Sequence, residues 1–550
     1  MGRFPTGFDG GGSFRIVPLT TVLIIIPPRF DHHRLALGTE LMRNSSLFSF
    51  APRWVVPAVL TFLCLSNVPV SAADYAFDLS FPATARAEPF TGRVYLFFQK
   101  GKGQEPRLGP NWFNPGPMVA IDVKDWKPGE TLEIGTADPS RLIVFPKSLA
   151  DLDLKGHTVQ AVARFNPLNR KVGDGPGNAH SSVAKVEGSD GKPAGARLVL
   201  DQIVPERVFP ENKWCKLLEI HGGRLTEFHG RDVPQRACVL LPASYYTQPE
   251  RRYPTIFVVS GFGGDHFAGL RTEPVKEDNP EGVEFIRVYL DADCPLGHHV
   301  FADSANNGPV GGALVGELIP ELDKKFRTIA APTARFLTGH SSGGWSTLWL
   351  QVAYPETFGG CWSTAPDPVD FHDFQRIDMY RAGENMYSDP KGERRPLARS
   401  QGRVMLWYDD FDRMEELVGP GGQLHSFEAV FSPRGTDGKP VRMWNRETGV
   451  VDVEAAKAWE KYDIRLILET HWNELGPKLA GKLHVFMGEE DTFYLEGATK
   501  RLKESLHNLN SDAVVELFPG KDHGSLMTRE LVTRIRTEMI QSFLKHHKVQ

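Results

Sequence analysis

The sequence predicts a two-part α/β protein: a parallel, helix-flanked sheet from about residue 206 onward, preceded by an all-β sandwich of immunoglobulin-like type. Three observations predict it. From Asp74 to about Pro205 the chain is a series of short β-branched and aromatic runs ("GRVYLFF", "TLEIG", "RLIVF", "HTVQAVARF", "ARLVLDQIV") broken by Gly, Pro, Asn and Asp, with no long 3.6-residue period. After about Glu206 the runs become continuous and apolar ("YPTIFVVSGFGG", "FIRVYLDADC", "TARFLTG", "KLHVFMGEED", "AVVELFPGKDHG"). Between them lie amphipathic stretches such as "GGALVGELIPELDKKF", and buried strands alternating with helices make a parallel sheet.

Within the first part, "NPLNRKVGDGPGNAH" (Asn166–His180) is expected to be a loop. Within the second, residues 368–482 differ in composition, with charge clusters such as "YDDFDRMEE" and the tryptophans Trp407, Trp444, Trp459 and Trp472. They are expected to form an insertion or lid over the active end of the sheet, with the tryptophans packing in its core or stacking on sugar or phenolic rings.

Composition limits the function. The chain has 550 residues, 41% hydrophobic, 24% charged and 10% aromatic, as a globular protein of several domains does. Its 63 basic and 68 acidic side chains leave a net charge of −5, which argues against a nucleic-acid-binding surface. At the N-terminus Arg43 and Arg53, the apolar run Trp54–Leu65 and the small residues Ser71-Ala72-Ala73 have the layout of a secretory signal peptide. Residues 42–73 are thus the expected signal, Asp74 the mature start, 1–41 an over-extended reading frame before Met42, and the destination outside the cell or the periplasm. No stable membrane insertion is expected after its removal. Cys215, Cys238, Cys294 and Cys361 remain in the mature chain and could form one or two disulfides.

The chemistry concentrates in "FLTGHSSGGW". Gly339-His340-Ser341-Ser342-Gly343 fits G-x-S-x-G only with Ser341 as the serine, because a frame on Ser342 would need glycine where His340 stands. An apolar strand precedes it and a helix follows, the context in which a sharp turn exposes a serine oxygen at a helix N-terminus. Such a serine needs a base and the base a carboxylate, in chain order Ser, acid, His. Asp491 is the expected acid, with Glu489 and Glu490 as neighbouring rivals, and His523 after the last strand is the expected base. The oxyanion hole would use the backbone N–H of Ser342 and that of Phe262 or Gly263 in the glycine-rich loop after "TIFVV".

These residues, with "RACVLLPASY", "GELIPELDKKFRT", "LTGHSSGGWSTLWLQVAYPETFGG", "GEEDTFY" and "GKDHGS", resemble the secreted "putative esterase" family of α/β hydrolases, which includes enterochelin-esterase-like, feruloyl-esterase-like and esterase-D-like enzymes. The resemblance covers about half the chain. It implies an α/β-hydrolase catalytic domain at 206–550, a β-sandwich at 74–205, a Ser341–Asp491–His523 triad and hydrolysis of carboxylic esters. Two features depart from it: Ser260 stands where the family commonly has histidine, and the 368–482 insertion is long. The expected substrate is a small or polysaccharide-linked ester, carbohydrate-linked or phenolic. The alternatives are peptidase or acyltransferase chemistry on the same triad, or a non-catalytic binding protein. Asp303 and Asn306, in a polar Gly-rich stretch, are candidate substrate contacts. No cofactor is implied and no metal, since His298-His299 lacks companion ligands.

Overall fold

The computed structural model of the chain describes residues 74–549, apart from 102, 189–191, 276–278 and 280. The expected extension and signal peptide lie outside the described residues. Among the described residues, no helix is long and apolar enough to cross a membrane.

Eight strands form the larger sheet: β1 (Cys215–Ile220), β2 (Gln235–Leu240), β3 (Thr255–Val259), β4 (Ile286–Leu290), β5 (Arg335–His340), β6 (Gly360–Thr364), β7 (Leu483–Gly488) and β8 (Val514–Phe518). Their spatial order is β1-β2-β4-β3-β5-β6-β7-β8, and only β2 runs against the rest. β3, β5 and β6 are buried on both faces, which is why they read as continuous apolar runs rather than alternating ones. The helix after β5, α1 (Ser342–Ala353), is buried around most of its circumference and packs on β5 and β6. In such a sheet the chemistry collects beyond the carboxyl ends of the strands.

Between β6 and β7 the chain leaves the sheet. This excursion holds a two-stranded hairpin (Pro396–Ser400 with Arg403–Trp407), α2 (Tyr408–Val418), α3 (Gln423–Phe431), a short helix Val453–Trp459 and α4 (Ile464–Leu479). Two of its tryptophans serve packing: Trp444 and Trp459 are fully buried, and Trp459 stands edge-on to Phe371, Phe374 and Phe431. Two more helices follow, α5 (Glu496–Asn508) between β7 and β8, and α6 (Arg529–Leu544) after β8.

Residues before 206 form two further sheets. One has three strands (Tyr75–Ser80, Leu132–Gly135, Ala194–Val199), and the other is built around Phe90–Lys100, flanked by Met118–Trp126 and His157–Ala163. Phe90–Lys100 is buried on both sides because alternate residues serve different cores. Val94, Leu96 and Phe98 meet the three-stranded sheet, with Phe98 edge-on to Phe77 at 5.5 Å. Tyr95 and Phe97 join the core of the α/β part. The same strand caps α2: Arg93 donates to the Glu416 and Leu417 carbonyls (2.7 and 3.0 Å) and Tyr95 to that of Val418 (2.7 Å). Those carbonyls have no partner inside the helix, so the strand satisfies the last turn of α2.

The four cysteines are free thiols, so the expected disulfides are not formed. Cys215, Cys238 and Cys361 are buried within strands, where a thiol acts as a small apolar side chain.

Candidate active site

At the end of β5 the backbone turns sharply at Ser341, whose φ of 60° and ψ of −128° lie outside the regions a serine prefers. Holding it there costs on the order of 1–3 kcal/mol, which the surrounding packing must supply. The two motif glycines make the turn possible. A Cβ on Gly339 would overlap the backbone of Gly343, and one on Gly343 would overlap the carbonyl of Val259 in β3. Ser341 is the N-cap of α1, and its own N–H donates to the Thr364 carbonyl of β6 (3.0 Å). Its hydroxyl therefore projects at a helix N-terminus, where developing negative charge is favoured.

The loop after β3 approaches from the other side. A Cβ on Gly261 would lie 3.3 Å from the Ser341 Cβ and 3.1 Å from the His340 carbonyl oxygen, so a side chain there would crowd the serine turn. Gly263 has φ +88° and the Gly264 N–H closes a turn onto the Gly261 carbonyl (3.0 Å). Ser342, in the first turn of α1, has one of the N–H groups that lack an intrahelical acceptor. Below the loop, buried His298 lies 3.0 Å from the Ser260 carbonyl through Nε2, and burial lowers its pKa to about 4, so it stays neutral.

His523, on the loop after β8, sits with its Nδ1 2.7 Å from Asp491 Oδ2. Asp491 is fully buried after β7, and its Oδ1 accepts the N–H of Phe493 (2.8 Å). Glu489 and Glu490 are exposed, so among the three carboxylates only Asp491 meets the imidazole. Burial alone would lower the His523 pKa. The charge and hydrogen bond of Asp491, with the charges of Asp367 and Asp522, outweigh it and raise the value. His340, whose ring lies 4.6 Å from that of His523, is lowered to about 3 by burial and by the His523 charge. One histidine of the pair is thus kept neutral and the other basic.

Ser341 and His523 open into one pocket of about 290 Å³ with Gly261 and Phe262. Its wall is largely apolar and aromatic: Trp112 from a loop of the N-terminal segment, Phe411 of α2, Leu424 and Phe427 of α3, and Phe493. Three polar groups missed in the sequence lie there, Asp367, Gln375 and Gln423. Asp367 accepts the Ser342 hydroxyl (2.5 Å), which also takes the Gln423 side-chain amide of α3 (3.2 Å). Burial pushes the Asp367 carboxyl up to about 6, against the hydrogen bond from Ser342. Its place just beyond the carboxyl end of β6, in "STAPDP", was the available signal.

Asp303 and Asn306 are elsewhere, and their expected role is corrected. Asp303 accepts the N–H groups of Gly311 (2.7 Å) and Gly312 (3.0 Å), capping the helical run 310–325. Asn306 donates to the carbonyls of Ala429 (3.1 Å) and Ser432 (3.0 Å) at the end of α3. Neither lines the pocket that holds Ser341.

Asp412, Glu416 and His425 place ligand-type atoms within 4.8 Å of one another. The Arg446 guanidinium already balances them, 3.3 Å from Asp412 and 3.0 Å from Glu416. Nearby Glu415 accepts the N–H groups of Gln423 (2.5 Å) and Leu424 (3.0 Å), so this charge cluster fixes α2 to α3.

The family model described as "Putative esterase" matches residues 232–523, just over half of the chain. No curated protein matches. Among solved structures the chain is similar to an S-formylglutathione hydrolase from Agrobacterium tumefaciens (12% identity, TM-score 0.36, 59% of this chain and 94% of that one). It is also similar to a fluorophosphonate-binding serine hydrolase of Staphylococcus aureus (14%, 0.36, 59% and 98%). A third is a ferulic acid esterase from Anaeromyces mucronatus (12%, 0.30, 62% and 95%). Likenesses at these scores carry no weight for substrate.

Proposed function

The chain belongs to the esterase family described as "Putative esterase" and is a carboxylic ester hydrolase; from that premise we propose that Ser341, His523 and Asp491 act as a catalytic triad on an α/β-hydrolase fold. The observation that carries this reading is a serine on a strained turn sharing one pocket with a histidine already bonded to a buried aspartate.

Ser341 Oγ attacks the ester carbonyl carbon while His523 Nε2 takes its proton. Asp491 accepts from Nδ1, which holds the tautomer with Nε2 free and stabilises the imidazolium as it forms. The carbonyl oxygen becomes an oxyanion facing the N–H groups of Ser342 and of Phe262 or Gly263. Each such donor is worth on the order of 100- to 1000-fold in turnover. Collapse of the tetrahedral species breaks the ester C–O bond, and the alcohol leaves with the proton from His523. Water, activated by the same imidazole, then releases the acid and restores Ser341. Asp367 and Gln423 hold the Ser342 side chain, and through it the first turn of α1.

The aromatic wall favours an apolar or phenolic acyl group, with the alcohol, carbohydrate-linked in the proposed physiological ester, directed outward. Residues 74–205 are read as an immunoglobulin-like sandwich, supported by their two facing sheets, and 368–482 as a fixed roof rather than a detached lid. Export rests on the layout of 42–73. Comparing rates on matched esters, anilides and added acyl acceptors tests the reaction class. Ester cleavage that vanishes in Ser341→Ala is the expected result; faster anilide cleavage or acyl transfer would overturn it.

A further inference from the structure

We propose that the β-rich N-terminal segment supplies working parts of the ester site: Trp112 selects a flat aromatic acyl group, and Arg170 positions the oxyanion loop through Phe262. This rests on the ester-hydrolase reading above, narrows its acyl group to a flat aromatic one and adds two residues to it.

Two loops of the segment reach the turn after β3. In the first, the Asn111 side chain accepts the N–H groups of Phe113 (3.0 Å) and Asn114 (3.3 Å), a local turn that fixes how Trp112 and Phe113 are presented. The Trp112 ring lies 5.5 Å from that of Phe262 and 5.1 Å, edge-on, from that of Phe411. Phe113 lies 6.2 Å from Phe493, which stands edge-on to His523 at 5.0 Å. In the second loop the Arg170 guanidinium carbon sits 4.7 Å from the centre of the Phe262 ring, and its head group pairs with Asp293 beyond β4. The neighbouring Lys171 pairs with Asp265 (3.5 Å), which caps the turn His266–Gly269 through the Phe267 N–H (3.0 Å). The loop that must aim an N–H at the reacting carbonyl is thus gripped at Phe262 by the N-terminal segment, while Asp265 is shared between Lys171 of that segment and Arg207 (2.6 Å) at the start of the α/β part.

That grip has a physical purpose. Gly261, Gly263 and Gly264 let the loop approach Ser341, and the same residues give it no side chains to hold it still. Phe262 is the handle. An indole tilted against it and a cation over the ring hold it by ring–ring contact and cation–π attraction. The rings of Trp112, Phe262, Phe411, Phe427 and Phe493 form the aromatic part of the wall of a pocket of about 290 Å³, the low end of small-molecule pockets, which suits one planar ring.

Kinetics on methyl cinnamate and methyl butyrate, followed by acid release, test both roles. In Trp112→Ala the ratio of kcat/KM for the cinnamate over the butyrate should fall at least tenfold, carried by KM, and Trp112→Phe should restore most of it. In Arg170→Ala kcat should fall about tenfold on both esters with KM unchanged, and Arg170→Lys, which keeps a cation over Phe262, should recover part. Thermal melts confirm folding; where the alanine variant does not fold, Trp112→Leu tests the same ratio. An unchanged ratio in an active Trp112→Ala or Trp112→Leu enzyme, or an unchanged kcat in Arg170→Ala, would overturn the proposal while leaving the ester reading standing. A folded wild-type enzyme inactive on both esters would instead overturn the ester reading and the proposal with it.

Discussion

The pocket has two ends built on different principles. At the end proposed to react, Ser341, Ser342, Gly261, Asp491 and His523 hang on the carboxyl ends of β3, β5, β7 and β8, and the tolerances are set by backbone. At the far end, Trp112 of the N-terminal segment, Phe411 and Phe427 of the neighbouring helices α2 and α3, and Phe493 after β7 meet through their side chains. The first end carries buried charge and a strained turn; the second is apolar and held by ring packing. On the proposed reading, chemistry depends on few positions that admit no change, and selectivity on many that admit gradual change.

The contrast can be broken most severely at the reacting end. Ser341→Ala and His523→Ala should each lower kcat about a million-fold, the scale on which a triad fails as a unit, measured on any ester the wild type cleaves. Asp491→Asn should cost about ten-thousand-fold, because the amide would hold the wrong imidazole tautomer. Gly343→Ala drives a methyl into the Val259 carbonyl and should cost about 3 kcal/mol of stability, read from urea unfolding.

Gentler perturbations sharpen the comparison. Protonated His523 cannot accept the serine proton, so kcat/KM is lost as pH falls through the histidine pKa and is full above it. Asp491 raises that pKa, so the acidic limb should fall above about pH 6.5 and move down in Asp491→Asn. A wild-type limb well below 6 would contradict the raised value. The smallest effect is expected at Asp303, a helix cap outside the pocket. Asp303→Ala should cost about 1 kcal/mol in a denaturant melt and leave kcat/KM unchanged.

The same division explains what could be read in the sequence. The elbow was legible because steric demands fall on consecutive residues: glycine at 339 and 343 is required by the carbonyls around it. Asp491 and His523 were legible because each follows an apolar strand in the last two β-units. Trp112 was not, since nothing local distinguishes it from any tryptophan in a Pro- and Gly-rich loop. Nor was Arg170, whose partners Phe262 and Asp293 lie about a hundred residues on. Asp303 and Asn306 misled for the converse reason: polar residues in a Gly-rich stretch suit helix capping and carbonyl tethering as well as ligand binding. Trp444 and Trp459 of the 368–482 excursion turned out to be part of its core, and the tryptophan that lines the pocket of Ser341 is Trp112, far upstream in the chain.

The assignment of Ser341 as nucleophile is tested most directly by treating residues 74–550 with a fluorophosphonate and mapping the modified peptide by mass spectrometry. Label on Ser341, lost in His523→Ala, is the predicted result. Label on Ser342, or no label on folded protein, would contradict it.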